Sequence, residues 1–521
     1  MKPKDHSCEG AGRTTHCRLA SYMVLGIILI VVGALSLVNN PVLTVAKYVS
    51  RISPGTKFYD VLNQTNYPGA YIYTYIFNVT NGDRFISGED HNLKVEEVGP
   101  FTYQELRTNE DFELDEEAGV MRYSPNITTR FVPELSIAHP KDVNVTVFNI
   151  AMLAITSYVS SFPYWFRATF NLLANRLNSK SIIEVDVYSY LWGYREPLIQ
   201  LAHKALPGWI PFDEMGILDR LYHSGNVRFE LGARNEDKFL IKKINGKGGL
   251  AEIGYDDPSR RNRCNSLEDT YEGMAYPDDI TPNTALRVYR NAFCRFLDLE
   301  YQGSIPMDFG LEGFVYRFSN TTFNKTQHDN KCLADRPGIL DGVSDLSPCF
   351  FGLGLGLSNA HFLYGDPKIY ERVEGIRPDE QEHGSKIIID PKLGAVLTTK
   401  LALQVNVIMD DVNFSSAARP FSSLILPVAY LKMIQPQISE ERQAEFWRLY
   451  VLFPCIRHTF EAVFIVIGIL LLAFTAKQYY YLTRFIKKNE MPFERSNIQT
   501  SNIILEQPLL DQKSSTNDSV S

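Results

Sequence analysis

The 521-residue chain carries 52 Lys and Arg against 60 Asp and Glu, a net charge of −8 that excludes a nucleic-acid binder built on a basic face. Hydrophobic residues make up 45% and charged residues 21%, a globular balance that sets aside an intrinsically disordered chain.

In chain order, the first element is an apolar stretch. Leu19 to Val38 carry no charge, close to the ~20 residues a helix needs to cross a bilayer. Lys2, Lys4, Arg13 and Arg18 precede it, and Asn39-Asn40-Pro41 follow, which reads as an uncleaved anchor rather than a signal peptide. A second stretch, Thr459 to about Ala476, holds a single acid, Glu461, and is followed by Lys477, Arg484, Lys487 and Lys488. Cations on the outer flanks of both place both tails in the cytosol. Tyr479, Tyr480 and Tyr481 fit the aromatic belt at that interface. The predicted organisation is a cytosolic tail 1–18, a span 19–38, a luminal or extracellular domain 39–458, a span 459–476 and a cytosolic tail 477–521. Seven sequons in the middle segment agree with that side: Asn63, Asn78, Asn126, Asn144, Asn320, Asn324 and Asn413.

Within the middle segment, Tyr71 to Asn78 is aromatic and β-branched, as a half-buried strand is. Val143 to Phe166 is uncharged, yet its Asn, Ser, Thr and Pro163 argue for a helix with an apolar face rather than a third span. Helical signals cover Val147 to Leu177 and Val187 to Leu206, broken by Pro197. Alternation marks strands at Val227–Leu231, Phe314–Phe318 and Leu397–Val407. Ser439, followed by Glu440 and Glu441, predicts the start of a helix leading to the second span. Strands throughout, with helices inserted as a block, predict a mixed antiparallel α+β fold.

Of seven cysteines, Cys264, Cys294, Cys332 and Cys349 share the oxidising side and allow two disulfides in three connectivities. Cys17, beside the membrane, is a site for S-palmitoylation or an unmodified thiol. Catalytic signals are poor. Gly356-Leu-Ser358-Asn-Ala360 misses the nucleophile elbow, and Gly352 to Gly356 lacks a dinucleotide loop's third glycine. Glu96 and Glu97 form no acid–base pair, and none of the eight histidines between the stretches shows metal spacing. No catalytic residue, metal or cofactor is predicted.

Several short runs then appear together: Pro54-Gly-Thr-Lys-Phe-Tyr-Asp60, Phe77-Asn-Val-Thr-Asn81, Val95-Glu-Glu-Val-Gly-Pro-Phe-Thr-Tyr103 and Leu191-Trp-Gly-Tyr-Arg-Glu-Pro197, followed by His361-Phe-Leu-Tyr364, Val373-Glu-Gly-Ile-Arg-Pro378 and Asp390-Pro-Lys-Leu-Gly394. In this order, between two anchors, the chain resembles the class B scavenger receptors. The resemblance implies an antiparallel β-barrel core with an apical helical bundle at the membrane-distal end and an internal apolar tunnel. It also implies the pairs Cys294–Cys349 and Cys264–Cys332, although the chain lacks a third cysteine pair seen in the family's fatty-acid translocase.

In that relative the bundle carries a ligand-capturing lysine, and counting back from Leu191-Trp-Gly-Tyr194 places Arg176 there. Arg167 and Lys180 lie nearby, and Tyr158, Phe162 and Trp165 supply an aromatic surface, so a cationic, aromatic apex is expected to capture lipid or lipoprotein. In the tail, Glu506-Gln-Pro-Leu509-Leu510 resembles an acidic dileucine sorting signal. The expected protein is a two-span receptor for lipid (fatty acid, sterol or phospholipid) or lipoprotein, at the plasma membrane or in endosomes and lysosomes. The alternative is an endolysosomal membrane protein whose apex binds and sorts a luminal hydrolase.

Overall fold

The computed structural model describes residues 7–223, 227–325, 336 and 338–500. Cys332 and the tail residues Glu506, Leu509 and Leu510 lie outside them. The chain forms two compact units, Met1–Thr44 with Val451–Ser521, and Val45–Tyr450.

The first unit contains the helices Ser7–Val38 and Phe453–Thr500. The stretches His16–Val38 and Glu440–Phe485 are long and apolar enough to cross a bilayer. Only 11% and 17% of their apolar windows are buried, so the greasy side chains face outward, the reverse of a soluble core helix. The helices approach through small residues: a Cβ on Gly26 would stand 3.0 Å from the Gly468 carbonyl oxygen. Glu461 is covered on this seam, accepting the Ser36 hydroxyl at 2.6 Å and facing Arg457 at 3.2 Å.

The second unit is mixed α+β around one long, nearly closed sheet. Its path runs through Thr270–Tyr271, Leu286–Arg290, Arg295–Pro306, Glu312–Phe318, Lys386–Ile389, Val396–Ile408, Ile425–Ile434, Tyr67–Val79, Leu93–Asp115, Val120–Phe131, Phe229–Gly232 and Ile241–Ile244. Neighbours are antiparallel except at the first pair. The two ends of this path meet, because Leu240 bridges Tyr271. Edges paired in this way leave no free backbone ladder there, the device that barrels use.

The alternating strands are present, including Val396–Ile408 and Glu312–Phe318. Alternation survives only at the start of Val396–Ile408, where Leu397 is buried and Thr398 exposed. From Leu401 to Ile408 both faces are buried, one under the helix Ile150–Val159, whose Ser157 hydroxyl donates to the Ile408 carbonyl at 2.9 Å.

The helical signals over Val147–Leu177 resolve into two helices, preceded by a strand that takes their first residues. Asn144–Phe148 is a strand paired with Ile182–Asp186, because the buried β-formers Val145, Val147 and Phe148 face the β-branched Val185, Ile183 and Ile182. Asn149 then caps the helix Ile150–Val159, accepting from the Met152 amide at 3.2 Å. Every residue of this helix except Tyr158 is buried, so it is enclosed on all sides rather than on one face. Pro163 precedes a second helix, Tyr164–Arg176. The Val187–Leu206 helix is likewise two, Val187–Trp192 and Pro197–Ala205. Pro197 starts the second, its missing N–H harmless at N1, while buried Glu196 caps it by accepting from Leu198 N at 2.6 Å and Ile199 N at 3.1 Å. Ser439 caps Glu440–Trp447 as expected.

Candidate functional site

The helices of this cap hold the residues proposed for ligand capture. Trp165 is 68% and Tyr164 76% exposed, and Leu172 beside them is 70% exposed. Phe162 is half-buried and stacks on Phe166 at 4.8 Å. Tyr158 is packed rather than displayed: its ring stacks on Trp209 at 5.0 Å, and Trp209 Nε1 donates to the Phe351 carbonyl at 2.7 Å. It borders a surface cleft of about 600 Å³ that also includes Asp345, Asp410 and Met409. Arg176 and Lys180 are exposed. Arg167 is half-buried, with its guanidinium 5.6 Å from the Phe414 ring centroid and no hydrogen bond at Nε. Leu172 was not singled out in the sequence, because one leucine in a helical run carries no mark of exposure.

Three separate sequence motifs converge on a polar cluster in the sheet. Glu97 comes from Val95–Tyr103, His361 from His361–Tyr364 and the Arg377 amide from Val373–Pro378. His361 accepts the Arg377 N–H on Nδ1 at 3.1 Å and faces Glu97 Oε2 through Nε2 at 2.9 Å. His383 stacks on His361 at 4.1 Å and accepts the Asp379 N–H on its own Nδ1 at 3.1 Å. Sequence spacing could not reveal this group, since its members come from distant segments. The ligand atoms of Glu97, His361 and His383 lie within 4.8 Å of one another, a metal-like grouping.

The hydrogen bonds argue against a metal there. A backbone N–H can only donate, so each Nδ1 is the acceptor and each neutral ring carries its proton on Nε2. Metal-bound histidines have the opposite arrangement, with the ring nitrogen away from the metal donating. The Nε2–H of His361 instead donates to Glu97. Burial, with His361 and Lys432 nearby, pushes His383 down to about 4, so it stays neutral. Burial alone would raise Glu97, but hydrogen bonds from His361 and Tyr430 outweigh it and hold its carboxyl below the usual range. Gly375 belongs to the same joint, because a Cβ there would lie 1.9 Å from the Val95 carbonyl oxygen.

A second polar group joins distant strands of the sheet. Tyr103, Glu105 and Arg107 alternate along Leu93–Asp115 and share a face. Arg107 crosses to Glu272, next to Thr270–Tyr271, with Nη1–Oε1 at 2.7 Å, and Glu105 accepts the Tyr222 hydroxyl at 2.7 Å. Glu105, Arg107 and Tyr222 are half-buried. Burial raises the Glu105 carboxyl. Tyr222 also lines a cleft of about 370 Å³ with Tyr103, Phe131 and Trp192.

Among the sequons, Asn63, Asn126, Asn144, Asn320 and Asn413 are exposed, and Asn78 and Asn324 are half-buried. Asn78 Oδ1 accepts the Thr146 amide at 2.8 Å. Cys294 and Cys349 are joined, as the resemblance implied, and Cys264 is disulfide-bonded. Ser358 is buried within the strand Leu355–Asn359, where its hydroxyl meets Asn406 Nδ2 at 3.0 Å. That is no strand-to-helix elbow.

Comparison with known proteins agrees with this architecture. The profile of the CD36 family matches residues 24–479. Scavenger receptor class B member 1 of Bos taurus is 26% identical over 461 residues, covering 87% of this chain and 86% of its own length. The Sus scrofa protein of the same name is 24% identical over 457 residues, 86% of each chain. Lysosome membrane protein 2 of Homo sapiens is 25% identical over 382 residues, 72% of this chain and 77% of its own. These relatives bear the names of receptors and membrane proteins, not enzymes. With a nearly closed sheet between two membrane-length helices and a match over most of its length, the chain belongs to the CD36 family.

Proposed function

We propose that this chain is a two-span scavenger-type receptor that captures lipid or lipoprotein on its helical cap and passes apolar cargo through a hollow in the Val45–Tyr450 body. The observation that carries the reading is the closure of the sheet, whose end strands meet where Leu240 bridges Tyr271, as in a barrel that can enclose a passage. A lipid tail loses about 0.8 kcal/mol per methylene on entering water, so a dry passage lowers the barrier to transfer. Trp165 and Phe162 supply apolar contact on the cap, with Arg176, Lys180 and Arg167 favouring anionic partners. Both tails face the cytosol, and the sequons are on the other side.

Purified full-length protein in nanodiscs should bind labelled fatty acid, sterol or phospholipid saturably. It should also speed transfer of that lipid into the disc. Absence of saturable binding to all three overturns the conduit.

A second reading is favoured by the exposed Tyr164, Trp165 and Leu172 and by the similarity to Lysosome membrane protein 2: an endolysosomal protein whose cap binds and sorts a luminal hydrolase. Exclusive surface localisation, unchanged by Leu509→Ala with Leu510→Ala, would rule it out.

A further inference from the structure

A short helix, Pro41–Val49, follows the first span in the chain, apolar but for Thr44 and Lys47. The helix Ser7–Val38 continues to Asn39, whose amide donates to the Leu35 carbonyl at 2.9 Å, so Asn40 alone joins the two. Asn40 caps the new helix, its Oδ1 accepting from the Leu43 amide at 3.2 Å, and Pro41 takes the first position, where its missing N–H is harmless. Such a link reaches at most about 7 Å. A headgroup layer is about 5–8 Å thick. A chain that leaves the hydrocarbon at Val38 therefore starts this helix at the level of the headgroups. No residue of the helix is buried. Val45, Tyr48 and Val49, at i, i+3 and i+4, share one face and are 60%, 62% and 57% exposed. Lys47 lies on the opposite face, where its ammonium pairs with Asp279 and its carbonyl accepts the Asn235 side-chain amide at 3.2 Å. The Arg51 guanidinium stands 3.7 Å from the Tyr48 ring centroid, so a cation borders the apolar face.

We propose that Pro41–Val49 is an interfacial helix that lays Val45, Tyr48 and Val49 into the non-cytosolic leaflet of the bilayer its own span crosses. The inference rests on the two-span reading above. Connectivity selects the occupant, because a helix joined to a span by one residue meets lipid before any partner in solution. Contact with the leaflet removes three large apolar side chains from water. Tyr48 suits that boundary, with an apolar ring and a hydroxyl that stays wet. Arg51 can lay its stem along the ring and extend its charge toward phosphate. Seating of this kind depends on apolar area rather than charge, since Lys47, the only cation of the helix, is already paired with Asp279. A zwitterionic phosphatidylcholine surface is therefore sufficient.

The test uses full-length protein in phosphatidylcholine nanodiscs, with photoreactive p-benzoylphenylalanine in place of Tyr48 and mass spectrometry to identify what it captures. Leu35 in the span and Ile137 in a loop of the body, both exposed, carry the same group as references. Phospholipid adducts are expected at Leu35 and Tyr48, and none at Ile137. Adducts at Leu35 without any at Tyr48 overturn the interfacial helix alone. Their absence from both positions defeats the two-span reading as well. Labelling at Ile137 equal to that at Tyr48 marks random capture and overturns the helix too. So does a protein cross-link at Tyr48, to a second copy or within the chain, in place of lipid. A lipid adduct that forms only once phosphatidylserine is added overturns the apolar seating. If the Tyr48 variant does not fold, Val45, on the same face, carries the group and decides by the same outcomes.

Discussion

In the cluster where three motifs meet, both nitrogens of His361 are engaged, one by a backbone amide and the other by Glu97. In the second polar group, by contrast, Arg290 Nε and the Tyr276 hydroxyl have no partner among the described residues. Both regions bury ionisable groups in one body, but the first satisfies them internally and the second does not. Fully paired polar groups hold segments in register. Incompletely paired ones hold a place for something else, at some expense in stability. Where Glu97, His361 and the Arg377 amide meet, residues from three motifs therefore hold the fold in register.

The largest expected effect comes from breaking the satisfied cluster. His361→Ala leaves Glu97 and the Arg377 amide unpaired and should destabilise the protein by about 3 kcal/mol, read from denaturant unfolding. Acid attacks the same cluster. His383 sits at about 4 when folded and near 6.5 when unfolded, so the unfolded chain binds more protons in that window. Its contribution is complete above pH 6.5 and disappears as pH falls toward 4. Between pH 7 and pH 5 the loss should be about 2 kcal/mol. Glu97, held low, adds a further loss below the ordinary carboxylate range. Thermal melts across pH should show the slope, and His383→Gln should flatten it.

The second polar group should respond in the opposite sense. Arg290→Met removes a cation that has no partner among the described residues, so the protein should hold its stability or gain up to about 1 kcal/mol. A large destabilisation would show that Arg290 is scaffold after all. Smallest of all, Trp165→Ala on the cap should change stability by less than about 0.5 kcal/mol, because the ring is exposed. Lipoprotein binding to cells should nonetheless drop. If stability fell instead, the cap aromatics would be core.

Much of the architecture could be read from local pattern. Charge-free runs gave the two membrane-length helices, alternation located Val396–Ile408 and Glu312–Phe318, and Ser439 marked a helix start. The helical reading of Val147–Leu177 failed only at its start, Val147 and Phe148, where cross-strand pairing to Ile182–Asp186 decided otherwise. Sequence marked Tyr158 as a candidate surface aromatic but could not show that Trp209, far along the chain, stacks on it while it still borders the 600 Å³ cleft.

The sequence alone determined what short-range physics controls: where the chain can enter lipid, which residues alternate across a sheet, and where helices begin. Those properties depend on residues within a few positions of one another. Tertiary structure alone decided which charges are paired. Glu97 with His361, Arg107 with Glu272, and Arg290 with no partner among the described residues follow from strands that meet only when the sheet curls and its ends join. Electrostatics act through space, and no spacing along the chain records which distant groups will be neighbours.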